Sequence, residues 1–269
     1  MESNLTRLHE DMRYASDLTD SQWETIKYLF NYQRKRKYDL RRQILDAIFY
    51  LLKTGCQWRM LPREFAPWTS VYDYFRRWKQ QGLITKMHEM LRTEYRRKVG
   101  RKPSPSAAII DSQSVKTTRI GGIRGFDGNK SVKGRKRHIV VDTLGLIWAV
   151  VVHSAEHNDS QQAPWVLKRL RGNVPRLKII FADQGYIGTP GGLVWRIFRW
   201  RWHVVHRDKG QRGFQVMPKR WIVERTFAWF ESYRRLSKDF EFSPSTSEAM
   251  IELAMCRLIL NRFDGVRQL

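Results

Sequence analysis

Between residues 99 and 107 the chain reads VGRKPSPSA, and the hydrophobic pattern differs on its two sides. Two prolines and two serines among basic residues offer no apolar face and stop a helix from continuing. The stretch therefore reads as a linker and as the domain boundary. Before it, apolar residues recur at helical spacing; after it, they gather in short runs of strand length. The expected organisation is a helical domain, residues 1–98, then the linker 99–107, then a mixed α/β domain, residues 108–269. A chain of 269 residues is long enough to give both parts a core.

In the first part, residues 1–17 read as a loose arm. Thr19-x-x-Gln22 is a capping box that opens a helix through Phe30, with Trp23, Ile26 and Phe30 as its apolar stripe. After the basic run Arg34-Lys35-Arg36-Lys37, Asp39 caps a second helix, DLRRQILDAIFYLLKTG, closed by Gly55. Its buried face should hold Leu40, Ile44, Ala47, Ile48 and Leu51. A loop with Pro62 and Pro67 leads to a third helix, starting at Thr69 or Ser70 and stopped at Gly82, and a fourth over residues 83–97. Short helices on tight turns suit a helix-turn-helix-like DNA reader, with Tyr72, Arg76 and Arg77 of the third helix as its contacts. A plain helical bundle fits the same pattern.

Beyond the linker, residues 107–111 (AAIID) are an apolar run ending in an acid. Residues 119–136 (RIGGIRGFDGNKSVKGRK) read as a Gly-rich basic loop, and residues 138–142 and 146–153 as two strands. Asn158 or Asp159 caps a helix to about Leu170, and residues 177–183 (LKIIFAD) form another strand ending in an acid. A Trp/Arg-rich helix near 193–202, a strand at 203–207 and a helix over 220–238 complete the order. In the last helix Val223, Phe227, Phe230 and Arg234 share one side, with Glu224, Ala228 and Glu231 on a neighbouring stripe. Three strands followed by alternating helices and strands fit a mixed sheet covered on both faces, the order of the ribonuclease H-like fold.

Charge narrows the partner. Fifty Lys and Arg against 26 Asp and Glu give a net charge of +24, which predicts attraction to a polyanion such as DNA or RNA. No apolar run reaches the roughly 18 residues of a spanning helix, and the polar start has no apolar signal core. A soluble, intracellular protein is expected. Cys56 and Cys256 stand alone without Cys-x-x-Cys spacing, which argues against a zinc finger or a disulfide framework.

Asp111 and Asp183 each close an apolar run, and Glu224 follows on a helix. Cleaving or joining a phosphodiester needs an activated oxygen nucleophile and a stabilised leaving oxyanion. Carboxylates from distant segments can hold two Mg²⁺ for both tasks. Any one of these acids alone reads equally as a turn, a cap or an ion pair with Arg220 or Arg225.

Longer motifs go further. SDLTDSQWETI, KYDLRRQILDAIFYLLKTGCQWRMLP and PWTSVYDYFRRW in the first part, then IIDSQSVKT, VKGRKRHIVVDTLGL, FADQGY and RWIVERTFAWF, stand in this order along nearly the whole chain. Together they resemble a bacterial insertion-sequence transposase of the DDE class, in the group named for insertion sequence five. The resemblance implies that Asp111, Asp183 and Glu224 are the catalytic triad and hold two Mg²⁺ ions, with Mn²⁺ as a substitute. It implies a DNA transposase that binds terminal inverted repeats, cleaves the element ends and joins the 3′-OH ends to target DNA. The partners are double-stranded DNA and, for synapsis, a second copy in a homodimer; the setting is the bacterial cytoplasm. Around the Glu, the wider family pattern is Tyr-x-x-Arg-x-x-x-Glu followed six residues later by Lys. Arg220 fits the Arg, whereas Met217 and Glu231 stand at the Tyr and Lys positions; Arg234 or Arg235 could supply that cation.

Lys116, Lys133, Arg135, Lys136, Arg137, Arg220 and Arg225 are the expected phosphate contacts near the triad. His153 and His157 have a zinc-compatible spacing but fit a structural role better. Trp221 and Trp229 have core spacing; Trp200 and Trp202 are freer to meet DNA. Two other functions fit the same features: a non-catalytic DNA-binding repressor derived from a transposase, and a ribonuclease H-like nuclease that cuts without joining.

Overall fold

The computed structural model describes residues 14–30, 37–119, 122–189, 191–205 and 220–265. Most of the expected N-terminal arm, Arg34 to Arg36 and Met217 lie outside these residues. The chain falls into two compact units, one of Met1–Tyr95, Tyr233–Leu236 and Glu252–Leu269, the other of Arg96–Ser232 and Ser237–Ile251. Two C-terminal pieces thus belong with the first unit, where the sequence pattern had drawn a single cut.

In the first unit, α1 (Asp20–Ile26) starts at Thr19 with the capping box formed in both directions. A 3₁₀ turn, Lys27–Phe30, extends it. Helix α2 (Asp46–Thr54) is entered through a π-helical stretch, Leu40–Leu45, that Asp39 caps by accepting from the Arg42 N–H at 2.8 Å. It ends at Gly55, whose φ of 72° lies in the left-handed region; a Cβ there would stand 3.0 Å from Cβ of Arg234. Every residue from Ile44 to Phe49 is buried, so this helix is the hub of its unit rather than a one-sided surface helix. Leu40 stays partly exposed. Helix α3 (Trp68–Gln80) begins directly after Pro67, slightly earlier than its Thr/Ser signal suggests, and α4 (Leu83–Lys98) follows. Val71, Phe75 and Trp78 form the buried side of α3.

The second unit is built on a six-stranded sheet: β1 (Ala107–Lys116), β2 (Gly125–Asp127), β3 (Val132–Asp142), β4 (Ile147–Ser154), β5 (Ile179–Ala182) and β6 (Arg201–Val204). β3 pairs with β1 on one edge and with β2 and β4 on the other, and β1, β5 and β6 continue the sheet in parallel. β3 therefore runs against all its sheet mates, the ribonuclease H-like arrangement. Helices α5 (Asp159–Lys168), α6 (Gly191–Phe198), α7 (Arg220–Glu231) and α8 (Pro244–Phe263) complete the described elements. Ala163, Val166 and Leu167 of α5 bury against Ala108, Ile110 and Ile180 of the sheet.

Several boundaries differ from the sequence reading. β1 does not stop at Asp111 but stays paired through Lys116, opposite Gly134, which puts Asp111 in mid-strand. Most of the expected basic loop 119–136 is ordered as the β2–β3 hairpin. Its residues are charged, yet β3 is a central strand and is buried from Gly134 to Asp142. Strand β6 likewise begins at Arg201, earlier than expected, because α6 stops at Phe198.

Candidate active site

Strand β1 carries Asp111 into a pocket that it shares with Asp183, Arg220, Val223 and Phe181. Asp183 directly follows β5 and caps a 3₁₀ turn, Gln184–Tyr186, where its Oδ1 accepts from the Gly185 N–H at 2.9 Å. Neighbouring parallel strands thus deliver two carboxylates to one rim. Burial pushes the Asp111 carboxyl up to about 7, and the Asp183 charge adds to the rise; the Ser112 N–H at 2.7 Å, Lys130 and Arg220 oppose it.

The third acid comes from α7. Val223, Phe227 and Phe230 bury one side of this helix, while Glu224, Ala228 and Glu231 are exposed, as expected. The helix stops at Glu231 rather than 238, so Arg234, expected on the first side, lies exposed in the next 3₁₀ turn, Arg234–Leu236. Arg220 links the acids: its Nε stands 3.0 Å from Oε1 of Glu224 and its Nη2 3.9 Å from Oδ2 of Asp183. Asp111, Asp183 and Glu224 are therefore grouped around one guanidinium. Among the described residues, no three His, Cys, Asp or Glu side chains converge closely enough to hold a metal ion in this arrangement.

Further polar residues are bonded to one another around Ser112, the strand neighbour of Asp111. Ser112 Oγ donates to Asp159 Oδ1 at 2.8 Å, and Lys130 Nζ donates to the Ser112 carbonyl at 3.1 Å. Tyr186 is fully buried and bonded to His138 Nε2 at 2.6 Å; burial, then the charges of Asp111, Asp159 and Asp183, pushes its hydroxyl well above the phenol range. Sequence reasoning missed Asp159, which reads as an ordinary helix-start acid, and Lys130, one cation in a basic stretch.

Of the expected phosphate contacts, Lys116 and Lys133 are exposed, as are Tyr72, Arg76 and Arg77 on α3. Arg135, Lys136 and Arg137 are not; their burial corrects the expectation of a solvated basic loop. Arg135 pairs with Asp239 at 3.2 Å and donates to the carbonyls of Ile123, Glu241 and Phe242. Lys136 lies 3.2 Å from Asp159 and 3.5 Å from Asp127. Arg137 donates to the Lys238 carbonyl at 3.3 Å, and burial lowers its guanidinium to about 10. Arg225 is held between the rings of Trp221 and Trp229, at 4.6 and 4.9 Å, and donates to the Leu144 carbonyl. Those two tryptophans thus sandwich a cation, and Trp221 is exposed rather than core. Trp200 is buried and stacks on Phe198 at 4.8 Å, and Trp202 packs against the core, which corrects their expected openness. Arg235 is buried in the first unit, donating to the Cys56 carbonyl. His153 donates from Nδ1 to the Ser154 carbonyl at 2.9 Å and faces His138, a structural role.

No described helix is long and apolar enough to cross a membrane. Two family models match the chain: one described as "Transposase DDE domain" over residues 102–259, and one described as "Putative transposase of IS4/5 family" over residues 18–88. A curated relative from Burkholderia cepacia, "Putative transposase for insertion sequence element IS402", is 31% identical over 135 residues. That alignment takes in 48% of this chain and 64% of the relative, so the chain spans less than two thirds of the relative's length. A second, "Insertion element IS402 uncharacterized 16.2 kDa protein" from the same organism, is 32% identical over 82 residues, 30% of this chain and 54% of that one. Among solved structures, "Crystal structure of the Mos1 mariner paired end complex with Mn" aligns with 98% of this chain and 90% of its own at 12% identity. Its TM-score is 0.30, a superposition too distant to support a conclusion.

Proposed function

Because this chain belongs to the transposase DDE-domain family, we propose that it is a DNA transposase that cleaves the ends of its insertion sequence and joins the freed 3′-OH ends to target DNA. The observation that carries the reading is the grouping of Asp111, Asp183 and Glu224 around Arg220. The donor set fits Mg²⁺ or Mn²⁺: all three are hard oxygen ligands, and burial, with the Asp183 charge adding to it, raises Asp111, a cost that a cation would offset. Asp111, Asp183 and Glu224 would hold two ions. The chemistry supplied by such a pair is activation of an attacking oxygen and stabilisation of a departing one.

The protein's own residues prepare that chemistry. Asp111 is fixed by its pairing with Ile139 of β3, and Asp183 by its cap to Gly185. Arg220 shields the acids from one another in the free protein. On binding, Arg220 swings to a DNA phosphate, which frees Glu224 to join the two aspartates. Exposed Lys116 and Lys133 take further phosphates. Tyr72, Arg76 and Arg77 of α3 read the terminal inverted repeats. Synapsis of two ends makes the working form a homodimer on duplex DNA, in the bacterial cytoplasm.

The test is nicking of a supercoiled plasmid that carries the element's ends, in Mg²⁺ or Mn²⁺. Asp111→Asn, Asp183→Asn and Glu224→Gln should each reduce nicking about a thousandfold, since losing several kcal/mol of charge stabilisation costs roughly tenfold per 1.4 kcal/mol. Retention of DNA binding by each variant shows that folding is intact. Full nicking by any one of them would remove that residue from the triad.

A further inference from the structure

The β2–β3 hairpin also forms one wall of a second cleft, of about 440 Å³, lined by Lys116, Arg119, Arg124, Phe126, Ser131 and Lys133 together with two threonines. Four cations facing one concavity attract a phosphate-bearing ligand. Among them stands an aromatic ring: Phe126 is 57% exposed. It lies directly opposite Lys133 in the ladder, so the two side chains share a face.

A single exposed phenylalanine is ordinary. This one is set apart by how firmly its neighbours are held. Asp127, the next residue, is buried and accepts from the N–H groups of Asn129 and Lys130 and from Ser114 Oγ at 2.6 Å. Gly134 packs so closely on β1 that a Cβ would stand 1.9 Å from the Val115 carbonyl oxygen. On the far rim, Arg124 donates to the carbonyls of Thr118 and Arg119 at 3.0 and 3.2 Å. Asp127, Gly134 and Arg124 thus hold the hairpin that presents the ring, and little of that hairpin is left to order on binding.

Cations account for phosphates, but a free aromatic face fits a base. In a duplex each base face is covered by its stacked neighbours, so a base reaches such a ring only when it is unpaired and turned out. We propose that this cleft holds one unpaired nucleotide of bound DNA, its phosphates among Lys116, Arg119, Arg124 and Lys133 and its base stacked on Phe126. The proposal rests on the transposase reading and adds to it a preference for locally opened DNA. Lys116 lies on the same strand as Asp111, five residues further on. That is roughly 16 Å of strand, or about five nucleotides at the duplex rise of ~3.4 Å. The hairpin also reaches back to the active site, because Lys130 donates to the Ser112 carbonyl beside Asp111.

The experiment measures affinity by fluorescence anisotropy for three labelled probes: a fully paired duplex, the same duplex with one unpaired thymine, and the single strand. Wild type should bind the duplex with the unpaired thymine about tenfold more tightly than the paired one, the scale of one base–aromatic stack. Phe126→Ala should lose that preference with little change toward paired DNA, and Phe126→Trp should keep it. Equal affinity of wild type for all three probes, or an intact preference in Phe126→Ala, overturns the inference. Plasmid nicking by the same preparations separates the two readings. Nicking without the preference sinks the cleft alone, the preference without nicking sinks the catalytic reading alone, and loss of both sinks both.

Discussion

Two groups of cations that are close in sequence meet opposite environments. Lys116 and Lys133 stand on the open rim of the second cleft, while Arg135, Lys136 and Arg137, starting two positions after Lys133, are buried in the central strand. Strand alternation does not separate them, since three consecutive residues are buried. Position in the sheet does: Lys133 is opposite the short edge strand β2, whereas Arg135 onward lies between β1 and β4. A charge survives there only with partners. Arg135 has the Asp239 carboxylate, and Lys136 has Asp127 and Asp159, which tie the hairpin and α5 to β3. The count of 50 Lys and Arg therefore overstates the cations available to DNA, because some of them hold the fold together.

The sharpest way to break this contrast is to remove a buried cation. Arg135→Ala leaves Asp239 buried without its paired guanidinium, with the Ser247 hydroxyl and the Glu241 N–H still bonded to it, and losing one member of a buried pair costs about 3–5 kcal/mol. For a protein of this size that corresponds to roughly 10 °C in Tm, read by circular dichroism. Replacing both partners, as in Arg135→Met with Asp239→Leu, should recover much of the loss because no charge is stranded. If Arg135→Ala melts with the parent, the buried cations are not structural and the contrast falls.

The parts of the fold that were legible share a local cause. Thr19 with Gln22, Asp39 and Gly55 mark helix ends through the chemistry of unsatisfied backbone groups, and each does so in the structure. The run ending at Asp183 reads as a strand with an acid at its rim, and it is one. What stayed hidden depended on distant partners. VKGRKR carries the composition of a solvated loop, and only Asp239, Asp127 and Asp159, supplied from elsewhere, make it a buried strand. Arg225 between Trp221 and Trp229 was hidden similarly, since helical spacing reports a shared face but not whether that face meets core or cation. In the site, the acids were legible as types in order. The Arg220–Glu224 pair was legible from its spacing; that Arg220 would also reach toward Asp183 was not.

A smaller effect sharpens the contrast from the acid side. Asp46 is buried in the hub helix of the first unit, and burial pushes its carboxyl up to about 7; the Leu18 N–H opposes this, Asp17 adds to it, and Arg41 and Arg257 oppose it. The folded state therefore binds this proton more tightly than the unfolded chain. The stability it contributes is fully present below the ordinary aspartate value of 3.8 and is lost as pH rises through about 7. Asp46→Asn keeps an oxygen to accept from Leu18 and cannot ionise. Urea denaturation across this range should show a flatter stability profile for the variant, with its advantage over the parent on the alkaline side. An unchanged slope would mean that Asp46 stays charged in the fold, as Arg135 does beside Asp239.

The rim gives the smallest stability change. Lys133→Ala and Lys116→Ala remove exposed side chains, so each should alter unfolding by no more than about 0.5 kcal/mol, the range for surface positions. Their loss should appear instead in DNA binding. Each phosphate contact contributes close to one counterion, so the slope of log K against log salt should fall by about 1 per substitution on a paired duplex. Arg137→Ala supplies the opposite control: being buried, it should lower Tm, while any folded fraction keeps the parent salt slope. A rim variant that unfolds early but binds DNA with an unchanged slope would exchange the roles assigned to the two groups, and the cations of β3 would then be the ones facing phosphate.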